Sequence, residues 1–224
     1  MTTSSRGSFL LRSLSLLAAA GWVTACGSDR IFTPSSIGRP APATSSQNGA
    51  DVPEPTFLTA DPAGPTIANP VIAFWAKKGV DKRVSMYYHA RPGHNDSTAF
   101  MQFRVRDKSL LQRPDGSNIA NGDSVLITVT LIDPTQLKLD FQPAGLVFSA
   151  HDPAELKLSF GETLRDLNGD GVVDAKDAAI QRTFRIWRQE SLLDPWLPLA
   201  SLVLQEANEV QANIGGFTGY ACAY

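Results

Sequence analysis

Residues 66–224 are predicted to form an all-β domain, an antiparallel β-sandwich. Two observations predict this fold. In one short run after another, apolar residues alternate with polar ones, which is typical of strands with one buried face. Gly and Pro turn signals separate the runs at intervals of about 8 to 12 residues, a spacing that favours antiparallel strands over a βαβ sheet.

The individual runs indicate which residues share a face of each strand. The clearest run is Ser124 to Leu131, where four aliphatic residues face one way and two threonines face the other. The remaining alternating sets, in chain order, are Val71, Ala73, Trp75; Val84, Met86, Tyr88; Met101, Phe103, Val105; Leu137, Leu139, Phe141; Leu146, Phe148; Leu156, Leu158, Phe160; and Val210, Ala212, Ile214. Residues 217–224 are predicted to be a terminal strand tied into the sheet.

The first residues of the chain have the order of an export signal. Residues 1–8 carry one basic residue, Arg6, and no acidic residue, and residues 9–20 are apolar except for Arg12 and two serines. A membrane-spanning helix needs about 20 consecutive apolar residues, and this stretch is shorter. Residues 1–25 are therefore predicted to be a signal peptide.

The end of that segment contains a more specific signal. Val23-Thr24-Ala25-Cys26 resembles the lipobox of bacterial lipoproteins, in which a Cys receives diacylglycerol and becomes the mature N-terminus. The resemblance implies lipidation of Cys26, which attaches the protein to a membrane because each buried CH2 contributes about 0.8 kcal/mol. Gly27, where an acidic residue would retain such a protein, implies an outer-membrane lipoprotein of the cell envelope that faces the periplasm or the exterior. The alternative is an ordinary secretory signal.

The chain contains two Cys residues. If Cys26 is acylated, Cys222 has no disulfide partner and is expected to be a small buried residue in the terminal strand. A bridge between Cys26 and Cys222, or a reactive thiol, is the alternative.

Residues 26–65 differ in composition from the rest of the chain. They are rich in Pro, Ser, Thr, Ala and Gly and hold few large apolar side chains. Such a segment buries too little surface to offset the entropy of ordering it. It is predicted to be a flexible tether between the lipid anchor and the domain.

The charge balance of the chain indicates which class of partner is not expected. Twenty basic and twenty-two acidic residues leave a formal charge of −2, and no basic stripe is present to neutralise phosphates. Nucleic acid is therefore not an expected partner.

Part of the predicted sandwich resembles a known family. Residues 141–148, Phe-Gln-Pro-Ala-Gly-Leu-Val-Phe, and residues 153–159, Pro-Ala-Glu-Leu-Lys-Leu-Ser, look like the core motif of ZU5-like β-sandwich modules. Residues 196–201 and 216–221 resemble the end of the same module. The resemblance implies an Ig-like sandwich over residues 123–224. It does not imply self-cleavage, because Gly216 stands at the position of the family's His.

One polar segment carries metal-binding chemistry. Residues 166–177, Asp-Leu-Asn-Gly-Asp-Gly-Val-Val-Asp-Ala-Lys-Asp, match the EF-hand order of oxygen ligands around a Gly at the sixth position. Gly171 permits the left-handed turn that points the oxygens inward. Val173 is expected to point into the core. The predicted calcium ligands are Asp166, Asn168, Asp170, the Val172 carbonyl, Asp174 and Asp177.

The same loop resembles a dockerin repeat, because Asp177 replaces the usual Glu at the last position. That resemblance implies docking into an extracellular polysaccharide-degrading assembly, although dockerins carry two such loops and this chain has one. The two interpretations predict different structures after Asp177. A helix running through Trp187 would favour a docking module. A short helix to about Arg182, continued by a strand, is the preferred expectation and makes residues 161–182 an insertion in the sandwich.

These observations predict a non-catalytic protein. The three histidines, His89, His94 and His151, do not occur in an H-E-x-x-H spacing, and no G-x-S-x-G elbow is present. The expected function is that of a lipid-anchored cell-envelope protein with a calcium-stabilised β-sandwich that binds a protein or carbohydrate ligand. A glycan platform would require an exposed coplanar pair among the aromatic residues Trp75, Tyr87, Tyr88, Trp187, Trp196 and Tyr220.

Overall fold

The computed structural model describes residues 54–93 and 98–224, and their order of elements is that of an all-β protein. The first eight strands are β1 (Val71–Lys77), β2 (Lys82–Tyr87), β3 (Ala99–Val105), β4 (Leu110–Gln112), β5 (Ser124–Asp133), β6 (Lys138–Gln142), β7 (Val147–Phe148) and β8 (Ala154–Ser159). Next come helix α1 (Ala175–Gln181), β9 (Arg185–Gln189), β10 (Leu197–Pro198), β11 (Ser201–Leu204), a 3-10 turn (Gln205–Ala207), β12 (Glu209–Ile214) and β13 (Gly219–Ala223).

The strands form two large antiparallel sheets. The first sheet has the order β1-β5-β6-β13-β9-β10, and the second has the order β11-β12-β8-β3-β2. A small third sheet pairs β4 with β7. Every strand pairing within these sheets is antiparallel, as the alternating patterns and short connections require. The predicted all-β antiparallel sandwich is confirmed.

The hydrophobic core lies where the alternating residues of both sheets meet. In β5, Val125, Ile127, Val129 and Leu131 are all buried, as predicted. Aromatic side chains bridge the interior: the ring of Phe103 lies 5.3 Å from that of Phe141 and 5.8 Å from that of Phe217, measured between centroids. Offset and edge-on aromatic pairs at such distances contribute beyond their buried area.

The predicted face of β1 is wrong. Val71 is 52% exposed and Trp75 is 64% exposed, whereas the neighbouring residues Phe74 and Ala76 are buried. Six of the seven residues of β1 are apolar, so the alternation fits either face of the strand. Packing against the core then selects Phe74 and Ala76, and Trp75 is left on the outer surface opposite Leu126.

The predicted tether also needs correction in the part that the structure describes. Residues 56–60 pair with the domain: the Thr56 N–H donates to the Tyr224 carbonyl at 2.9 Å, and the Leu58 N–H donates to the Cys222 carbonyl at 3.1 Å. Leu58 is 2% exposed and belongs to the core. The composition around these residues is that of a linker, but one buried leucine and the backbone of β13 beyond Tyr220, with which β6 does not pair, hold them on the domain.

A second apolar cluster lies on the outer face of the first sheet. We call it the outer cluster, and its members are Phe57, Lys138, Trp187, Trp196, Ala221 and Ala223. The rings of Phe57 and Trp196 meet edge to face with centroids 5.0 Å apart. The Lys138 ammonium lies 4.0 Å from the centroid of the Phe57 ring. Trp187 is 4% exposed, and its indole N–H donates to the Ala223 carbonyl at 3.2 Å.

Several sequence predictions fall outside the described residues. These are the signal peptide, Cys26 with its lipid, residues 27–53 of the tether, and His94. Within residues 54–93 and 98–224, no helix has the length and apolar character needed to cross a membrane.

Candidate metal centre

The predicted calcium loop lies between β8 and β9, at one end of the sandwich. Helix α1 begins within the last three residues of the loop, at Ala175, and ends at Gln181, and β9 begins at Arg185. The expected short helix with a strand after it is therefore confirmed. Trp187 lies in β9 rather than on a docking helix, so the local geometry favours an insertion in the sandwich over a dockerin-like helix.

Short side chains shape the first half of the loop by bonding to its backbone. The two oxygens of the Asp166 carboxylate accept from the N–H groups of Gly169 and Gly171, each at 2.8 Å. The Asn168 side-chain oxygen accepts from the Asp170 N–H at 2.9 Å. Gly171 has φ of 83°, the left-handed conformation predicted from the motif. The residues of the motif therefore form this turn through hydrogen bonds with their own neighbours in the chain.

Two further predicted ligands begin helix α1. Asp174 is its N-cap, with the side chain accepting from the Lys176 N–H at 2.7 Å. The Asp177 side chain accepts in return from the Asp174 N–H at 2.8 Å, which completes a capping box. Such a box satisfies N–H groups that a helix start leaves without partners.

Asp177 also closes the loop. Its other oxygen accepts from the N–H groups of Leu167, at 2.7 Å, and Asn168, at 3.3 Å. The side chain is buried, since the residue is 3% exposed. Hydrogen bonds to the ionised carboxylate lower the pKa of Asp177, and the one from the Asp174 N–H has the largest effect. The buried carboxylate is consequently ionised at neutral pH and joins the two ends of the loop.

A lysine within the motif contacts two of its carboxylates. The Lys176 Nζ lies 3.0 Å from Asp170 Oδ2 and 3.9 Å from Asp174 Oδ2. The hydrogen bond from Lys176 is the main reason that the pKa of Asp170 is lowered. These two carboxylates therefore lie around one cationic group. The sequence showed Lys176 within the motif, but the ligand pattern assigns no role to its position, and the interaction was missed.

The donor set fits a hard cation in chemical type, because side-chain oxygens and one carbonyl are the ligands that calcium takes. Asp177 uses three of about four acceptor sites of its carboxylate for backbone N–H groups. Asp170 also accepts three hydrogen bonds, whereas Asp166 accepts two and Asp174 accepts one, so these last two carboxylates retain the most acceptor capacity. In the described residues the structure does not bring three or more Asp, Glu, His or Cys side chains together in a metal-binding group.

The expectation for Val173 is wrong. Val173 is 62% exposed and Val172 is 59% exposed. Val173 instead lines a crevice of about 390 Å³ between the loop and the sandwich, together with Phe160, Leu167 and Ala178. The loop stands away from the sheets at this point, so the valine side chain does not reach the core.

The other end of the loop is firmly joined to the sandwich. The Tyr224 hydroxyl donates to the Leu167 carbonyl at 2.6 Å, and the Tyr224 ring stacks on Phe184 with centroids 5.8 Å apart. Leu167 and Ile180 pack against the core. The conformation of the loop is thus connected to the last strand through Tyr224.

The other candidate residues that the structure describes lie apart from the loop. His89 and His151 are exposed and lie in separate connecting segments. Cys222 is buried in β13, as predicted, and burial raises the pKa of its thiol. Trp75 and Tyr87 are exposed and belong to strands of different sheets.

Comparison with protein-family models, with curated proteins and with solved structures finds no match to this chain. The proposed function accordingly depends on the geometry of the loop and the surfaces around it.

Proposed function

We propose that the protein is a non-catalytic, lipid-anchored protein of the cell envelope whose β-sandwich is stabilised by calcium and binds a protein or glycan partner. The observation that carries the proposal is the twelve-residue loop, in which Asp166 organises the turn, Asp177 closes it, and Tyr224 joins it to the last strand. Such a loop has the donor types and the left-handed turn that a calcium site uses.

Binding of a calcium ion would draw the ligand side chains inward, since the structure does not gather three or more of the described acidic side chains into a metal-binding group. The proposed ligands of the ion are Asp166, Asn168, Asp170, the Val172 carbonyl, Asp174 and Asp177. Four carboxylates within twelve residues repel one another. A bound divalent cation would neutralise that repulsion, and the Lys176 ammonium would leave its position beside Asp170.

The lipid anchor belongs to the proposal through the sequence. The lipobox-like residues before Cys26 support acylation and an outer-membrane location. The described domain begins its pairing at Thr56, so residues 27–55 would separate it from the acylated Cys. A partner would meet the exposed faces and loops of the sandwich.

Thermal melts of the full-length protein in excess calcium and in chelator test the calcium site. At about 100 times Kd, a ligand of the folded state adds about 2.7 kcal/mol. For a domain of this size, that is a rise in Tm of roughly 5 to 11 °C. Asp170→Ala is expected to lose this rise, because it removes a ligand carboxylate.

Two matched variants make the test specific. Asp107→Ala removes an exposed carboxylate outside the loop and is expected to retain the full rise. Lys176→Met removes the competing ammonium and is expected to bind calcium more tightly. Identical wild-type melts in calcium and in chelator would reject the site.

A further inference from the structure

An open groove lies between the start of β9 and the edge strand of the second sheet. Its volume is about 920 Å³, within the range of ligand sites. One wall is the segment that leads from α1 into β9, and the other is β11 with the turn after it. The residues that matter for its chemistry are Arg182, Thr183, Arg185, Ser201, Val203 and Gln205.

One wall of the groove is a strand with a free edge. β11 pairs with β12 along one side, from Ser201 opposite Ala212 to Leu204 opposite Glu209. On its other side, Ser201 accepts from the Ile186 N–H through its hydroxyl at 3.0 Å. Within the described part of the chain, the backbone of residues 202–204 has no partner on that side. An edge of this kind is a template for an added strand.

The opposite wall carries unpaired positive charge. Arg182 and Arg185 are exposed, and neither forms an ion pair with a carboxylate of the described residues. Five other arginines, Arg91, Arg104, Arg106, Arg113 and Arg188, each pair with an acidic side chain, whereas Arg83 and Arg165 also have no ion pair within the described residues but do not line the groove. Glu206 is the one acidic residue among the residues that line the groove. The two arginines therefore give the groove a net positive charge.

We propose that this groove binds an extended acidic peptide segment of a partner protein, which adds a strand beside β11 and pairs its carboxylates with Arg182 and Arg185. This inference rests on the proposed binding function and names the surface and the partner chemistry. Side chains of an extended peptide point to the same face at every second residue. Acidic residues at that spacing would meet the arginines while the peptide backbone bonds to β11.

The lining favours a peptide over a sugar. Phe184 is the aromatic residue among the lining residues, and it is 2% exposed, so its ring offers no face for stacking on a sugar. Free backbone N–H and C=O groups at strand spacing are complemented along their length by another polypeptide. The two arginines then supply selectivity for acidic side chains.

The test measures binding of a fluorescent peptide of alternating glutamate and threonine to the full-length protein in calcium. We expect saturable binding that weakens with salt and falls by roughly tenfold or more in Arg182→Glu/Arg185→Glu. Arg83→Glu is the matched control, because Arg83 is exposed, forms no ion pair within residues 54–93 and 98–224, and lies on β2, the opposite edge strand of the same sheet. It is expected to leave the affinity unchanged.

Further probes separate the parts of the proposal. Methylation of alternate backbone nitrogens of the peptide is expected to weaken binding, since it removes strand hydrogen bonds. The proposal is overturned if the glutamate peptide does not bind, if a lysine–threonine peptide or the methylated peptide binds equally well, or if an oligogalacturonate binds in place of the peptide. A loss of affinity as large in Arg83→Glu would overturn it too.

Two measurements keep this result apart from the calcium proposal. The melt of Arg182→Glu/Arg185→Glu should match that of the wild type, which shows that a loss of binding is not a loss of folding. If the peptide fails to bind while calcium still raises the wild-type Tm, the groove assignment fails and the calcium-stabilised module stands.

Discussion

The calcium-type loop and the outer cluster keep their shapes by different forces. In the loop, carboxylates and one amide accept hydrogen bonds from backbone groups within the same twelve residues, and Val172 and Val173 are left exposed. In the outer cluster, residues from distant parts of the chain bury Trp187 and bring the rings of Phe57 and Trp196 together. The loop is local and polar, whereas the cluster is long-range and largely apolar.

This difference predicts different sensitivities. A loop held by carboxylates responds to cations and to the removal of a single oxygen. A cluster held by aromatic packing responds to lost volume and is indifferent to calcium. Mutations in each region, measured with and without calcium, therefore separate the two kinds of stabilisation.

The largest expected effect is that of Trp187→Ala in the outer cluster. Removing a buried tryptophan leaves a cavity and loses its apolar contacts, so we expect the free energy of unfolding to fall by about 3 to 5 kcal/mol. The loss should be the same in calcium and in chelator, as measured by urea unfolding. Trp75→Ala removes a tryptophan that is 64% exposed, and this control should change stability by about 0.5 kcal/mol or less.

Equal effects of the two tryptophan substitutions would contradict the assignment of the outer cluster as a packed region. A loss for Trp187→Ala that depends on calcium would contradict its independence from the loop.

The sequence predicted much of the local structure of the loop and of β5. In the loop, the motif predicts the turn at Gly171, the positions of the Asp and Asn residues and the short helix. Each of these features depends on residues that are close together in the chain. In β5, four aliphatic residues at every second position lie opposite a face that contains two threonines, and this pattern favours one buried face although Leu126 lies on the exposed face.

The sequence could not predict features that depend on distant partners. The composition before residue 65 is that of a linker, but Leu58 is buried because β6 pairs only with the first two residues of β13 and leaves the backbone of the following residues available to residues 56–58. The faces of β1 are equally apolar, so only packing decides between Trp75 and Phe74. Arg182 and Arg185 come to face β11 through the sheet order, which no local pattern encodes.

A smaller effect is expected for Tyr224→Phe, which removes the contact between the loop and the last strand. The variant loses the hydrogen bond from the Tyr224 hydroxyl to the Leu167 carbonyl, so stability should fall by about 1 kcal/mol. Tyr87→Phe is the control, because Tyr87 is 45% exposed. If calcium orders the loop, the rise in Tm on adding calcium should also differ between Tyr224→Phe and the wild type. Identical melts of Tyr224→Phe and Tyr87→Phe would show that this contact does not connect the two parts.

The smallest expected effect concerns an ion pair outside both regions, which sets the baseline for ordinary surface electrostatics. The Arg104 guanidinium donates to Asp81 and lowers the pKa of that carboxyl below its usual value of 3.8. The pair therefore stabilises the fold above that value and stops doing so as the pH falls through the lowered pKa. Asp81→Asn should lower the Tm by roughly 1 to 2 °C at neutral pH. The difference from wild type should vanish in strong acid, and a difference that grows on acidification would contradict the assignment.

Tyr224 touches three parts of the molecule at once. Its backbone exchanges two hydrogen bonds with Thr56, its ring stacks on Phe184, and its hydroxyl reaches the Leu167 carbonyl. The same residue therefore lies between the first residue that pairs with the domain, Thr56, and the start of the calcium-type loop, so a displacement of the chain at residue 56 would act on the backbone of a residue whose hydroxyl holds Leu167.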